Sequence, residues 1–461
     1  MNPELATILA RVTQREGVPP ALLLGVLASM GTSGKPDFSR IEHDLIRKAG
    51  DYKALHARLL KPSGVDPELD RLRAEAARLL AEGRLADMDR ILAQAEQRNL
   101  DGTVALDKMS KERLLAAAAG RGDRAAAAIL QLNPKAYGEA AERFAEAALI
   151  AASADAESGR GYAWMQADAL ARKGADFSDR SAFVAAIEQL RGMLGKLDNF
   201  DQTVPWAETQ LRLARSLTGL SHFDDGGKLL RQVVEIYRIT LEDLTRAKAP
   251  RLWATLQTRL GEALLRLGET EDDAALLDES VAAFRAGLSG LTRADMPREW
   301  ARLQWELGKA HVALGLRASG VAAFEAAVNC FKLVLEDRPR ESVPLDWAEV
   351  QDRIGAALVG LAAYYREPVV LEEAIAAFDA ALEVRRREIV PALWAQSAAS
   401  RAEARLELAD RTRERAEAEK AIAELVMAIE TLRGHGLAAE AKQSEPRLLR
   451  AAALVEALRK A

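Results

Sequence analysis

One residue type sets the frame for this chain. Trp206, Trp253, Trp300, Trp347 and Trp394 recur at a fixed interval of 47 residues, and each is followed by alanine. They are five of the chain's seven tryptophans. A fixed interval of this size marks an array of repeated units. Each unit is too small to bury its own hydrophobic face and must stack on its neighbours. A chain of 461 residues can then run without one large core.

Other positions keep the same register. Counting tryptophan as zero, position +8 is Gly261, Gly308 and Gly355, with Ala167, Ala214 and Ala402 in the other copies. Position +14 is Leu in five copies, and +31 is Tyr237, Phe284, Phe331 and Phe378. Pro250, Pro297, Pro344 and Pro391 stand three before a tryptophan, where the first turn of a helix tolerates a missing N–H. At 100° per residue, positions 0, +4, +8 and +11 share one face, so the first helix of each unit is amphipathic. A small +8 admits a close partner helix, and the +31 aromatic of a second helix can fill the space between them. Gly268 and Gly315 suit helix C-termini. Six such helix pairs are expected over 159–440, with Gly159 in the place of the first tryptophan.

The flanks are helical too. An N-terminal module over 1–62 has helical stretches at Pro3 to Arg15, Ala21 to Met30 and Phe38 to Leu60, with a loop at Gly31-Thr32-Ser33-Gly34 and Pro36 and a stop at Pro62-Ser63-Gly64. Gly34-Lys35 is not a phosphate loop, because Ser29 and Pro36 stand where glycine and Ser/Thr are needed. Helical hairpins are expected over 67–158: one at 67–98 broken at Gly83, one near 121–152, and a separate helix from Met109 to Gly120 between them. A capping helix over 441–461 is expected to start at Ser444-Glu445-Pro446.

Leu260-Gly261, Leu264, Ser280, Phe284 and Leu288, and again Ala374, Phe378, Ala381 and Leu382, carry a resemblance. The chain resembles the tetratricopeptide (TPR) superfamily, and within it bacterial proteins with repeated Pro-x-x-Trp-Ala units. The departure is length, 47 residues against a typical ~34. The surplus falls at Gly268 to Leu277 and Leu291 to Met296, for longer helices or an added turn to absorb. The resemblance implies an all-α solenoid, a TPR-like superhelix of stacked antiparallel helix pairs. It also implies a protein or peptide partner held on the concave groove lined by first helices, and no cofactor.

Positions +2, +5, +9, +12 and +13 lie 120° to 220° from the tryptophan. They include Arg215, Glu262, Arg266, Arg302, Lys309 and Asp352, a mixed-charge set suited to a peptide. Trp164 and Trp305 both occupy +5. Tryptophan on a polar face is a candidate anchor; the other reading is that each packs on an adjacent helix. Trp305 with Arg302, Lys309, Arg266 and Asp352 is the expected centre of the groove, and the register tryptophans Trp206, Trp253, Trp300, Trp347 and Trp394 are expected to be structural.

Sixty-four basic against 69 acidic residues leave a net charge of −5, which argues against a nucleic-acid partner. No run approaches the ~20 apolar residues of a membrane span. Ala21 to Met30 is expected to be a core helix rather than a signal-peptide core, since Glu4 and Glu16 precede it. Cys330 as the single cysteine fits a reducing, cytoplasmic setting. Five histidines show no metal spacing, His311 replaces a core leucine, and no base is nominated for Cys330, so no metal site and no enzyme are expected. The expectation is a cytoplasmic interaction scaffold or adaptor, regulatory in a bacterial signalling or effector system. The alternative is a small-molecule-responsive sensor acting on a separate effector. A homo-oligomer is also open.

Overall fold

The computed structural model describes residues 3–29, 38–62, 66–100, 110–223, 227–318, 320–341 and 343–460. Among them every regular element is an α-helix. A chain rich in Ala, Leu, Glu and Arg favours that outcome. The chain divides into two compact units, Met1–Asp243 and Leu244–Ala461.

The first unit holds α1 (Pro3–Glu16), α2 (Pro20–Ser29), α3 (Phe38–Leu60), α4 (Pro67–Ala81), α5 (Leu85–Leu100), α6 (Lys111–Leu130) and α7 (Pro134–Ala152). It continues with α8 (Ala156–Phe177), α9 (Arg180–Leu194), α10 (Thr203–Leu220) and α11 (Lys228–Asp243). Asp66, Ser110, Asn133, Asp155 and Asp179 cap α4, α6, α7, α8 and α9 by accepting from first-turn N–H groups. Gly83 ends the α4 turn at φ +71°, and a Cβ there would stand 2.1 Å from the Ala21 carbonyl oxygen of α2. Only glycine fits on both counts.

The second unit holds α12 (Pro250–Glu271), α13 (Ala274–Ser289), α14 (Pro297–Arg317), α15 (Val321–Asp337) and α16 (Pro344–Ala362). It ends with α17 (Val369–Val384), α18 (Pro391–Thr412), α19 (Arg415–Gly434) and α20 (Ala438–Lys460). The four prolines before the tryptophans open α12, α14, α16 and α18. α1 packs mainly on α3; from α3 onward in each unit a helix packs mainly on its neighbours in the chain, and alternate helices also touch, α8 on α10, α12 on α14, α14 on α16 and α16 on α18.

Helices α1–α3 do not stand apart from the rest of the first unit. Lys48 of α3 is fully buried and donates to the Ile129 carbonyl of α6 and, at 2.6 Å, to the Tyr137 hydroxyl of α7. That hydroxyl donates to Asp176 of α8 at 2.6 Å, which also accepts from Arg47 of α3. Arg172 of α8 closes the set on Asp51 of α3 at 2.7 Å. Burial lowers the Lys48 ammonium to about 8. Burial, then the Asp176 carboxylate, pushes the Tyr137 phenol far above its ordinary range.

Several boundaries differ from the sequence expectation. No break occurs at 120–121: α6 runs unbroken through Gly120-Arg121-Gly122. A Cβ on Gly122 would meet the Tyr162 ring at 2.5 Å, so this glycine serves the approach of α8. Gly268 and Gly315 lie inside α12 and α14, which run on to Glu271 and Arg317. Longer first helices and a turn at 291–296 absorb the extra residues. The last helix does not start at Pro446; α20 passes straight through it. Ala441 and Leu437 before the proline and Leu448, Ala451 and Leu454 after it share one apolar cluster, and that shared burial outweighs one missing N–H bond. The loop expected at Gly31 to Gly34 and Pro36, Ser63-Gly64, and Met109 lie outside the described residues.

Candidate interaction surface

The site is built from the way the repeat fills its interior. The expected +8/+31 contact is present in each of three pairs. A Cβ on Gly261, Gly308 or Gly355 would stand 2.8, 2.6 and 2.8 Å from the rings of Phe284, Phe331 and Phe378. Those rings are buried. A second contact was not apparent in the sequence. Position +24 of the second helix lies against +15 of its own first helix and +13 of the next. Phe183 meets Gly174 and Gly219 in this way, and Phe324 meets Gly315 and Gly360. Where +24 is Leu277, +15 is still glycine but +13 of the next helix is Ala313, and both Leu277 and Ala313 belong to one buried cluster. Small residues on first helices thus receive large ones from second helices, within a pair and between pairs.

Within each unit the architecture is an array of packed helix pairs. No protein-family profile matches the chain, and no curated protein matches it. Solved structures that share the helical-repeat form include the apo quorum sensor NprR from B. thuringiensis, at 12% identity, TM-score 0.38, 89% of this chain and 94% of that one. A Rap protein complexed with competence and sporulation factor is similar at 12% identity, TM-score 0.29, 85% of this chain and 100% of that one. A STAND protein with a TPR sensor from Pyrococcus horikoshii is similar at 11% identity, TM-score 0.38, 100% of this chain and 74% of that one. At these scores the likenesses bear on neither ligand nor site, which rest on this chain's own residues.

The register tryptophans Trp206, Trp253, Trp300, Trp347 and Trp394 are half-buried, while the alanine after each is buried. Position +1 is therefore the true packing position, and the indole lies at the rim. Three rings carry an arginine from seven residues upstream: Arg293 over Trp300 at 5.3 Å, Arg340 over Trp347 at 5.1 Å and Arg387 over Trp394 at 5.2 Å. Arg293 also bonds Glu336 and Asp337 at the end of α15, and Arg340 pairs with Glu383 at the end of α17. The entry loops of these two units are thus fastened to the ends of their own second helices.

Position +5 faces inward rather than onto an open groove. The Trp164 indole N–H donates to Thr209 of α10 at 2.9 Å, and the Arg212 guanidinium lies 4.5 Å from the ring. Trp305 meets the Phe331 ring edge-on at 5.4 Å and lies under Arg338 at 5.3 Å. Asp352 faces Arg385, 3.6 Å away, whose guanidinium is buried and also bonds Ser397. Arg338 and Arg385 both occupy position +38, so the turn after the second helix roofs over +5. Trp305 and Asp352 are therefore separated from Arg302 and Lys309, with which the sequence had grouped them.

What remains outside is a narrower line, +2, +9 and +16, within about 20° of the direction opposite the tryptophan. Arg302, Lys309 and Leu316 of α14 are exposed along it, as are Ala356 of α16 and Ala363 just past its end. Arg215 is exposed on α10. Glu262 is half-buried because Arg259 and Arg302 close on it at 2.7 and 2.9 Å. Arg266, at +13, is half-buried on the flank of α12. Leu316 (68% exposed) and Arg353 of α16 belong to this surface and were missed. Elsewhere +16 is Ala175, His222, Glu269, Ala363 and Asp410, and that lack of any other large apolar side chain was the available signal that leucine there is out of pattern.

Among the described residues no three His, Cys, Asp or Glu side chains cluster to hold a metal ion. A cavity beside Leu69, Arg73, Leu92 and Asp123 has about 10 Å³ of room, one water at most. Burial lowers His311 to about 4 and raises the Cys330 thiol to about 11, so both are neutral interior groups. Among the described residues no helix is long and apolar enough to cross a membrane.

Proposed function

We propose that the chain is an interaction scaffold that takes a protein or peptide segment on the +2/+9/+16 line of the first helices in its second unit. One observation carries the reading. The +1, +5, +8, +13, +15, +24 and +31 positions are taken up by packing within and between pairs, whereas +2, +9 and +16 of α14 remain exposed as Arg302, Lys309 and Leu316. A face held rigid from behind and left polar and mixed in front can select a partner at small entropic cost. The role we assign is regulatory, in a bacterial signalling or effector system, with the effector on another polypeptide.

Affinity capture from a lysate of the source organism tests the reading. Wild type is compared with an Arg302→Glu, Lys309→Glu double variant whose melting is first shown to match. A protein retained by wild type and lost by the variant is the expected result. Equal retention by both would overturn the assignment of this face.

A further inference from the structure

Helix α20 keeps the 47-residue register but not its residue types: Ala441 stands at zero, Lys442 at +1, Leu449 at +8 and Glu456 at +15. A first helix of this array has two packing faces. Positions +3 and +10 meet the preceding pair, as Leu303 and Ala310 of α14 share a buried cluster with Leu277 and Phe284. On α20 these positions are Ser444 and Ala451, and both are buried. Positions +1, +8 and +15 receive the helix's own second helix and the turn after it. Gly308 and Gly315 of α14 lie against Phe331 and Phe324 of α15, and Ala254 of α12 lies against the turn at Gly290. Among the described residues this second face is open on α20: Lys442, Leu449 and Glu456 are exposed, with Pro446 and Ala453 beside them.

The open face does not suit a second helix of the repeat's own kind. That fit uses small residues at +1, +8 and +15, as in Ala395, Ala402 and Ala409 of α18, all of them buried. Leucine at +8 would stand where a +31 aromatic of such a helix has to lie, and the lysine and glutamate would lose water at the two ends. Nor are the charges of α20 spare in general. Arg447 and Arg450 pair with Glu403 and Glu407 of α18, and Glu445 pairs with Arg433 of α19. Lys442, on the open face, has no carboxylate partner among the described residues. The pattern that remains is symmetric. Leu449, 72% exposed, is seven residues from Lys442 and seven from Glu456. At 100° per residue the three lie within about 40° of one another, so they form one line. Each charge then lies about 10 Å along the helix from the leucine.

We infer that a second copy of this chain docks antiparallel on the +1/+8/+15 face of α20, with the partner's Leu449 against Leu449 and the partner's Glu456 against Lys442. A twofold axis through Leu449 makes both charge pairs by one operation. A parallel copy would instead set lysine on lysine and glutamate on glutamate, which repel. Ala453 and Pro446 beside the line let the two helices approach around the central leucines. The face is separate from the +2/+9/+16 line of α14, so the inference stands apart from the scaffold reading. A single helix pair buries less than the ~1,200 Å² of a standard stable interface, so the dimer exchanges with monomer at micromolar concentrations.

Sedimentation equilibrium of the full chain at low salt, from ~1 to ~300 µM, tests this over the range of a weak interface. The average mass of wild type should rise with concentration towards that of two chains and no further. Leu449→Glu should stay monomeric throughout, and because the side chain is exposed its melting should match wild type. Lys442→Glu should weaken the dimer at least about 10-fold, since it turns both charge pairs into acid on acid. Adding Glu456→Lys to the same chain restores both pairs, and should bring the affinity back to within about threefold of wild type. The difference between the single and double variants should shrink as salt is raised. A wild type that is monomeric up to ~300 µM, whether or not another protein binds this face, would overturn the inference. So would a dimer indifferent to Leu449→Glu, or one weakened by Lys442→Glu and not rescued by the double reversal. None of these results bears on the scaffold reading, which is tested at Arg302 and Lys309.

Discussion

Gly360→Ala should destabilise the wild-type protein and stabilise a Phe324→Leu variant. A Cβ at 360 would stand 2.4 Å from the Phe324 ring, which is 2% exposed and also held by Gly315. Overpacking of this kind costs about 1–3 kcal/mol. Replacing a helical glycine by alanine returns about 1 kcal/mol. The net effect in wild type is a loss of roughly 0–2 kcal/mol. With Leu at 324 the ring is gone, and the pair becomes the Leu277–Ala313 combination already present one unit earlier. There the helix term alone remains, a gain of about 1 kcal/mol. The difference between the two backgrounds is a coupling of about 1–3 kcal/mol. Urea unfolding of the four proteins, followed by circular dichroism at one wavelength, measures it. An equal effect of Gly360→Ala in both backgrounds would refute the claim that +13 and +24 are one packing site.

Trp305→Ala should destabilise at least as much as Trp300→Ala in thermal melts, at roughly 2–4 against 1–2 kcal/mol, because Trp305 packs on Phe331 whereas Trp300 is a rim residue under Arg293. His311, with its folded value lowered to about 4, stays neutral in the folded chain while the unfolded residue titrates near 6.5. The unfolded state thus binds more protons as pH falls from about 6.5 towards 4, and the urea midpoint should drop over that window more steeply in wild type than in His311→Leu. Tyr137→Phe removes both the acceptor for Lys48 and the donor to Asp176, and should cost about 1–3 kcal/mol while raising hydrogen exchange in α3.

The helix register was legible because tryptophan, proline and the +31 aromatic repeat without exception over several units. The +24 position was not, because it alternates between Phe183 or Phe324 and smaller residues, and its glycine partner belongs to the next unit. Glycine itself misled. Gly268 and Gly315 look like helix ends in one dimension, yet each makes room for a side chain of another helix. The +5 face was misread for a related reason. Periodicity gives the angle of Trp305 and Asp352 from the register tryptophan, but not the turn with Arg338 and Arg385 that covers them. The Lys48–Tyr137–Asp176 set was hidden because its members lie on three helices far apart in sequence, each ordinary on its own.

The most direct test of the docking surface is cross-linking mass spectrometry on the partner complex, using an amine-reactive reagent. Lys309 lies on the outer line of a first helix, whereas Lys332 and Lys420 are exposed on the second helices α15 and α19. Partner cross-links concentrated at Lys309, with Lys332 and Lys420 reacting as they do in the free protein, are the predicted result. Cross-links confined to Lys332 or Lys420, with Lys309 still as reactive as in the free chain, would contradict it.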